Sequence, residues 1–185
     1  GGAITNNNVL GQVVFNSPVG LSTANAVGAV TTIASTDTRF KAALDAASLS
    51  FTSSTLRFDG LVTSPGALTL ATANTITLGT GFANGATVIT TGGAITDSGT
   101  ITINMPSDKV DGQTLLLFDS VGGTVDATYA VNNTALFTYT ATLDDTAKSL
   151  TVTAAARSTA DVASTLGIDD HPPLLPEQGY SIVIN

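Results

Sequence analysis

Short runs in which apolar and polar residues alternate recur along most of the chain, and this pattern predicts β-strands that are buried on one face. Turn-forming residues separate the runs. Pro65 and Gly66, for example, precede the run at 68–70, and Gly79 and Gly81 follow the run at 75–78. The strands predicted in the first two thirds of the chain are 13–15, 30–33, 49–51, 56–58, 68–70, 75–78, 87–90, 94–96 and 100–103.

These runs are short and closely spaced, whereas a β-sandwich favours longer strands. Strands of three or four residues with Gly or Asn at the corners are typical of a parallel β-solenoid, because its corners need backbone conformations that these residues tolerate. Each coil of such a fold stacks its apolar face on the next coil. We therefore expect an all-β fold with a solenoid-like, parallel β-helix body.

Two segments have a helical pattern instead. Residues 37–48 have Asp37 in the N-cap position. The apolar residues of this segment recur at helical spacing: Phe40, Ala43, Leu44 and Ala47. Residues 159–166 form the second candidate, with Thr159 as the cap and Asp161 in the first turn. The sequence thus predicts one or two short helices, the first of them near residues 38–48.

The longest β-runs follow residue 110, and they favour an antiparallel arrangement. These runs are 113–118, 127–131, 136–143 and 149–154. The pairs Asn132-Asn133 and Asp144-Asp145 fall where hairpin turns are expected. A solenoid needs a terminal cap of this kind, since its last coil otherwise exposes an apolar face and open strand edges.

The C-terminal tail changes composition again. Residues 171–176 contain three prolines and are expected to be extended, and a final β-run occupies residues 180–185. Such a run can pair with its own sheet or with another chain. The residues of this candidate strand-exchange segment are Tyr180, Ile182, Val183 and Ile184. We therefore divide the chain into a solenoid-like body (1–105), an antiparallel cap (106–156), and a short helix, linker and terminal strand (157–185).

The composition narrows the possible functions. The chain contains 32 threonines, and only 11% of its residues are charged. A helical bundle usually covers its surface with Glu, Lys and Arg, and so this class is excluded. Six basic residues against fourteen acidic ones give a net charge of −8, which excludes a protein that binds nucleic acid through phosphate contacts. There is no cysteine, and so neither a disulfide nor a thiolate metal site is possible.

Few residues are suited to catalysis. The single histidine, His171, follows Asp169 and Asp170 in the proline-rich tail, which is a poor platform for a triad or a metal site. A second group of acids consists of Asp108, Asp111 and Asp119. It favours an ordinary turn over a catalytic carboxylate pair, although extracellular modules also bind calcium weakly through such groups. We expect that the protein is not an enzyme and binds no cofactor, with weak calcium binding as the one exception.

Two stretches, 66–104 and 111–155, resemble the passenger domains of bacterial autotransporters, including the rickettsial outer-membrane surface antigens. The second contains the pattern Gly-x-Thr-Leu-x-Leu-Phe-Asp at 112–119 and closes with Leu-Thr-Val-Thr at 150–153. This stretch resembles the C-terminal cap of a passenger. The resemblance implies a secreted, surface-exposed β-helical protein on a bacterial cell, acting as an adhesin or structural layer. Residues 171–185 differ from the linker expected in that family.

Three functions remain open. The first is a non-enzymatic extracellular adhesin or passenger fragment whose partner is a protein or a host-cell surface. The second is a subunit of a surface filament that polymerises by donating a terminal strand, either residues 180–185 or the N-terminal run 4–15. The third is a polysaccharide-processing β-helix that uses Asp108, Asp111 and Asp119. We expect no nucleic-acid partner and no segment that spans a membrane.

Overall fold

The structure is a computed structural model that describes residues 2–7, 12–16, 27–32, 36–71 and 73–167. Within these ranges the chain is almost entirely β, which confirms the all-β prediction. The strands are β1 (Ile4–Asn6), β2 (Gln12–Phe15), β3 (Val27–Thr32), β4 (Asp37–Phe40), β5 (Leu44–Thr52), β6 (Thr55–Phe58), β7 (Val62–Ser64), β8 (Leu68–Ala71), β9 (Thr75–Leu78), β10 (Thr87–Asp97), β11 (Thr100–Asn104), β12 (Thr114–Thr124), β13 (Thr128–Asn132), β14 (Phe137–Asp144) and β15 (Ser149–Ala156). A helix, α1 (Thr159–Leu166), follows them.

The strands form two sheets, and the chain passes repeatedly from one to the other. Sheet A has the order β1-β3-β5-β7-β10-β12-β15-β14, and β8 lies beside β5 and β10 in the same sheet. Sheet B has the order β13-β11-β9-β6-β4-β2. All pairs in sheet B are parallel, as are those of sheet A from β1 to β12. Parallel neighbours need a crossover connection, and here a strand of the other sheet lies within it.

Phenylalanine side chains stack along sheet B. Phe15, Phe40 and Phe58 occupy equivalent positions in three neighbouring strands, and Leu78 follows in the same row. The ring centroids of Phe15 and Phe40 are 5.1 Å apart, and those of Phe40 and Phe58 are 4.8 Å apart, with nearly parallel ring planes. Such aromatic pairs contribute about 0.5–1.5 kcal/mol beyond the burial of their area. The row belongs to one continuous apolar core built from both sheets.

A buried amide holds one corner between the sheets. The side chain of Asn74, between β8 and β9, accepts a hydrogen bond from the Ser54 amide at 2.9 Å. Its amide nitrogen donates to the carbonyls of Phe51 and Ala71, at 3.0 and 2.7 Å. A corner takes backbone groups out of the sheet ladder, and buried groups of this kind need other partners. Asn74 therefore satisfies the backbone of two successive corners.

The prediction of a helix near residues 38–48 is wrong, because this segment forms two strands. Residues 37–40 form β4 and residues 44–52 form β5. Asp37, the predicted N-cap, pairs with Gln12 on one side and Thr55 on the other. Of the residues that gave the helical spacing, Phe40 ends β4, Ala43 lies between the two strands, and Leu44 and Ala47 belong to β5. Pairing on both sides of each strand overrides the local preference of alanine for a helix.

The C-terminal strands follow the prediction only in part. β14 and β15 are antiparallel and meet at the turn that contains Asp144 and Asp145, as expected. β15 also pairs with β12 in the antiparallel sense. β13 differs, because it extends sheet B parallel to β11. The prediction of a hairpin turn at Asn132-Asn133 is therefore wrong. At these residues the chain passes from sheet B to sheet A.

The predicted helix at 159–166 is confirmed, with a different cap. The hydroxyl of Ser158, rather than that of Thr159, accepts the Asp161 amide at 3.1 Å, and Gly167 ends the helix in a left-handed conformation. Asp161 lies in the first turn, as expected. Across the described ranges, no helix has the length and hydropathy needed to cross a bilayer.

Candidate functional site

The acids predicted for calcium or catalysis have different surroundings. A carboxylate oxygen of Asp108 accepts the Gly81 amide at 2.7 Å, and one of Asp111 accepts the Ala156 amide at 2.9 Å. Asp119 projects from the outward face of β12. No group of three or more His, Cys, Asp or Glu side chains that suits a metal ion occurs among the described residues. Asp108 and Asp111 thus hold loops to the body of the protein.

Lys109 lies between these two acids and is buried. Its ammonium group donates to the carbonyl of Phe82 at 2.5 Å and lies 3.8 Å from Asp108. This lysine joins the loop after β11 to the loop after β9. The cluster at 108–111 is therefore explained by its structural contacts.

The predicted sites in the tail lie outside the described residues. They are Asp169, Asp170 and His171 of the candidate metal cluster, and Tyr180, Ile182, Val183 and Ile184 of the candidate strand-exchange segment.

A groove on the outward face of sheet A brings together residues that are distant in sequence. It has a volume of about 530 Å³. Four strands contribute to it, namely β5, β7, β10 and β12. Its lining consists of Asp45, Thr63, Ser64, Pro65, Thr90, Thr91, Gly92, Asp119, Ser120 and Val121.

The groove contains a row of four side chains at equivalent positions. Asp45 pairs with Thr63, Thr63 with Thr90, and Thr90 with Asp119. Since neighbouring strands are about 4.8 Å apart, the Cα atoms of the two aspartates are about 14 Å apart. The row thus has a carboxylate at each end and two hydroxyls between them.

A bend in the sheet shapes the groove. At the bend, Ser64, Thr91 and Ser120 are buried, and each donates its hydroxyl hydrogen bond to a carbonyl two residues later. Of the glycines that follow, Gly66 and Gly93 approach neighbouring backbone closely, and the Gly93 amide donates to the Gly66 carbonyl at 3.2 Å. Bonds of this type compete with the regular ladder and turn the strand.

The two carboxylates of the groove lack partners. The Oδ1 atom of Asp45 is buried and accepts no hydrogen bond. Asp119 has no hydrogen bond or ion pair with another residue in the part of the chain that the structure describes. Of the six basic residues, Arg39 and Arg57 bind Asp59, and Lys109 and Lys148 bind other acids. Lys41 and Arg157 form no ion pair with the described residues. The groove is therefore a site of uncompensated negative charge.

Among the described residues, the carboxylate of Asp97 is buried and fully satisfied. Asp97, at the end of β10, accepts the amides of Asp126 and Ala127 at 2.5 and 2.9 Å, and also the hydroxyl of Tyr129. Burial, followed by this hydrogen bond and the charge of Asp97, raises the pKa of Tyr129 well above its usual range. The hydroxyl thus stays protonated and donates to Asp97. This pair secures the connection between β12 and β13.

Sequence reasoning identified Asp119 but missed Asp45, Thr63 and Thr90, because the groove depends on the register of four strands. A signal was nevertheless present. Ser or Thr precedes Gly by two residues at 64–66, 91–93 and 120–122. This repeated pattern marks the bend that shapes the groove.

Comparison with known proteins gives no relatives: no family model, no curated protein and no solved structure matches the chain.

Proposed function

We propose that this chain is a parallel β-solenoid that acts at a bacterial cell surface as a non-enzymatic adhesin or structural passenger fragment. The observation that carries the proposal is the topology, in which strands pair in parallel within two sheets and alternate between them along the chain. Stacking of this kind produces continuous lateral faces that suit the binding of a large partner. The resemblance of residues 66–104 and 111–155 to passenger domains points to the same function.

The outward face of sheet B supports the proposal. Asn132 donates to Asn104 at 2.7 Å, and Asn104 donates to Thr77 at 3.2 Å, so that polar side chains form a row across three strands. These three side chains are polar and uncharged, in line with a protein in which 11% of residues are charged. An ordered row of hydroxyl and amide groups offers many hydrogen bonds to a partner surface.

The acids considered for polysaccharide processing give that alternative little support. A glycosidase needs two carboxyl groups about 5–10 Å apart across the scissile bond. Asp108 and Asp111 each accept a backbone amide, and Asp119 lies about 14 Å from Asp45, across the groove. Binding without turnover is therefore the function that we propose.

The test is adhesion of beads that carry the purified chain to cultured epithelial cells. We expect the beads to be retained and the soluble folded chain to displace them. Beads coated with heat-unfolded chain are the matched control, since they carry the same composition and charge without the folded faces. Equal retention of folded and unfolded chain, or no retention, contradicts the proposal.

A filament subunit is the second candidate, and free strand edges favour it. Within the described ranges, β13 pairs only with β11, so that one edge of sheet B lies open at the C-terminal end. The N-terminal strands β1 and β2 pair with β3 and β4 of their own sheets, which leaves residues 180–185 as the candidate donor. Regular filaments of the purified chain in negative-stain electron micrographs would support this function.

A further inference from the structure

We propose that the groove on sheet A binds an extended segment of a partner polypeptide through two basic side chains placed four residues apart, one for Asp45 and one for Asp119. The inference rests on the proposed surface-binding function, and it names the chemistry that the surface recognises. It starts from the two carboxylates, the hydroxyl row between them and the bend that makes the site concave.

Charge favours a cationic ligand. Both aspartates lack a partner among the described residues, and the Oδ1 atom of Asp45 is also buried. An ammonium or guanidinium group is the natural partner of a carboxylate that has none. Lys148 is adjacent to the residue that pairs with Asp119, but its ammonium group binds Asp145. The protein itself therefore does not neutralise the groove.

The dimensions favour an extended chain that runs across the strands. The Cα atoms of the two aspartates are about 14 Å apart, whereas residues i and i+4 of an extended polypeptide are about 13 Å apart. These two positions also project from the same side of the chain, since side chains alternate along it. Residues i and i+3 project from opposite sides and cannot both reach the groove.

The remaining lining suits the stems of basic side chains. Val121 is 75% exposed, and Pro65 is also exposed at the rim of the groove. Apolar atoms at these positions can contact the methylene groups of a lysine whose ammonium group binds a carboxylate. Thr63 and Thr90 lie between the aspartates, where their hydroxyls can bind the backbone of the ligand. The described lining contains no aromatic ring on which a sugar stacks, and the site therefore favours a polypeptide over a glycan.

The experiment compares two fluorescent peptides of identical composition by anisotropy, with the full chain in 50 mM salt. The first is Lys-Thr-Ser-Thr-Lys, with lysines at i and i+4, and the second is Lys-Thr-Ser-Lys-Thr, with lysines at i and i+3. We expect the first to bind at least about threefold more tightly, and its binding to weaken at high salt. Equal binding of the two peptides, or no binding of either, overturns the proposal.

Variants locate the binding. We expect D45N and D119N each to lower the affinity for the first peptide by about two- to fivefold, the range for an exposed ion pair. D126N is the matched control, because Asp126 is exposed outside the groove and the substitution removes the same charge from the protein. An equal loss in D126N would indicate attraction to net charge only, and would overturn the site. The Tm of D45N should stay unchanged or rise, because the substitution removes a carboxylate that has no partner among the described residues. A lower Tm accompanied by unchanged peptide binding contradicts a binding role.

Free spermidine distinguishes the source of the cation. Displacement of the peptide at equal concentrations of spermidine and unlabelled peptide would assign the groove to small polyamines and overturn the polypeptide ligand. The bead assay remains separate. Adhesion without peptide binding rejects the groove alone, whereas peptide binding without adhesion rejects the proposed function alone.

Discussion

At the scale of single residues, buried polar groups of this protein differ in whether they are satisfied. Asp97 accepts two backbone amides and the Tyr129 hydroxyl, whereas the hydroxyl of Tyr139 is buried and makes no hydrogen bond. The free energy of a polar group depends on its partners more than on its burial. Two tyrosines in one C-terminal region thus provide a direct comparison.

We expect Tyr129→Phe to lower the free energy of unfolding by about 1.5–3 kcal/mol at pH 8, because the buried carboxylate of Asp97 loses a donor. The raised pKa of Tyr129 gives the loss a pH dependence. A pKa raised by folding contributes stability that is complete below the unfolded value of about 10 and decreases above it, by about 1.4 kcal/mol per pH unit. The difference between wild type and variant should therefore narrow above pH 10. Urea unfolding at pH 8 and pH 10.5 measures it.

Tyr139→Phe is the control for this substitution. It removes a hydroxyl without a partner, and we expect the free energy of unfolding to change by less than about 0.5 kcal/mol or to increase. Equal destabilisation by the two substitutions would show that the hydrogen bond to Asp97 adds no stability beyond that of a hydroxyl without a partner.

At the scale of elements, the bend of sheet A depends on backbone contacts that exclude a side chain. A Cβ atom on Gly93 would lie 2.4 Å from the carbonyl carbon of Gly66. One on Gly123, which has a φ of 114°, would lie 1.9 Å from the carbonyl oxygen of Ile95. Neighbouring strands thus approach each other at the bend, and the groove keeps its shape because they do.

We expect Gly93→Ala to lower the free energy of unfolding by about 2 kcal/mol or more, because the new methyl group collides with backbone. Gly122→Ala is the matched control in the same bend, since its Cβ atom meets nothing within 4 Å. That variant should stay within about 0.5 kcal/mol of wild type. Chemical denaturation of both variants gives the comparison, and similar stabilities would contradict close packing at the bend.

The sequence predicts those elements that depend on neighbouring residues. The run 75–78 alternates strictly and forms β9, and the capping residues around 159–166 identify α1. The prediction for segment 37–48 is wrong because alanine favours a helix locally. Its strands are stabilised instead by partners 18 to 25 residues away, such as Phe58 and Phe15 for Phe40. The groove could not be predicted for the same reason, because Asp45 and Asp119 are 74 positions apart in the chain.

At the scale of the whole molecule, the two sheets end differently at the C-terminal side. Sheet A is continued by the antiparallel strands β15 and β14, whereas β13 is the last strand of sheet B within the described ranges. Tyr129 and Val131 project from β13 toward the core and remain half-buried. A parallel sheet that ends on a free edge presents unpaired amides and carbonyls, together with apolar side chains that a further strand can cover.

If residues 180–185 of one copy pair with β13 of another, assembly should depend on one face of that run. Tyr180, Ile182 and Ile184 alternate with Ser181 and Val183 and share a face in an extended strand. We expect the double substitution Ile182→Lys with Ile184→Lys, like deletion of residues 172–185, to leave a folded monomer, because charges on that face oppose its burial against Tyr129 and Val131. Light scattering and electron microscopy measure the assembly, and circular dichroism checks the fold. Ser181→Lys places one charge on the opposite face and should still assemble, so that equal assembly of the double variant and this control would reject strand donation by the tail.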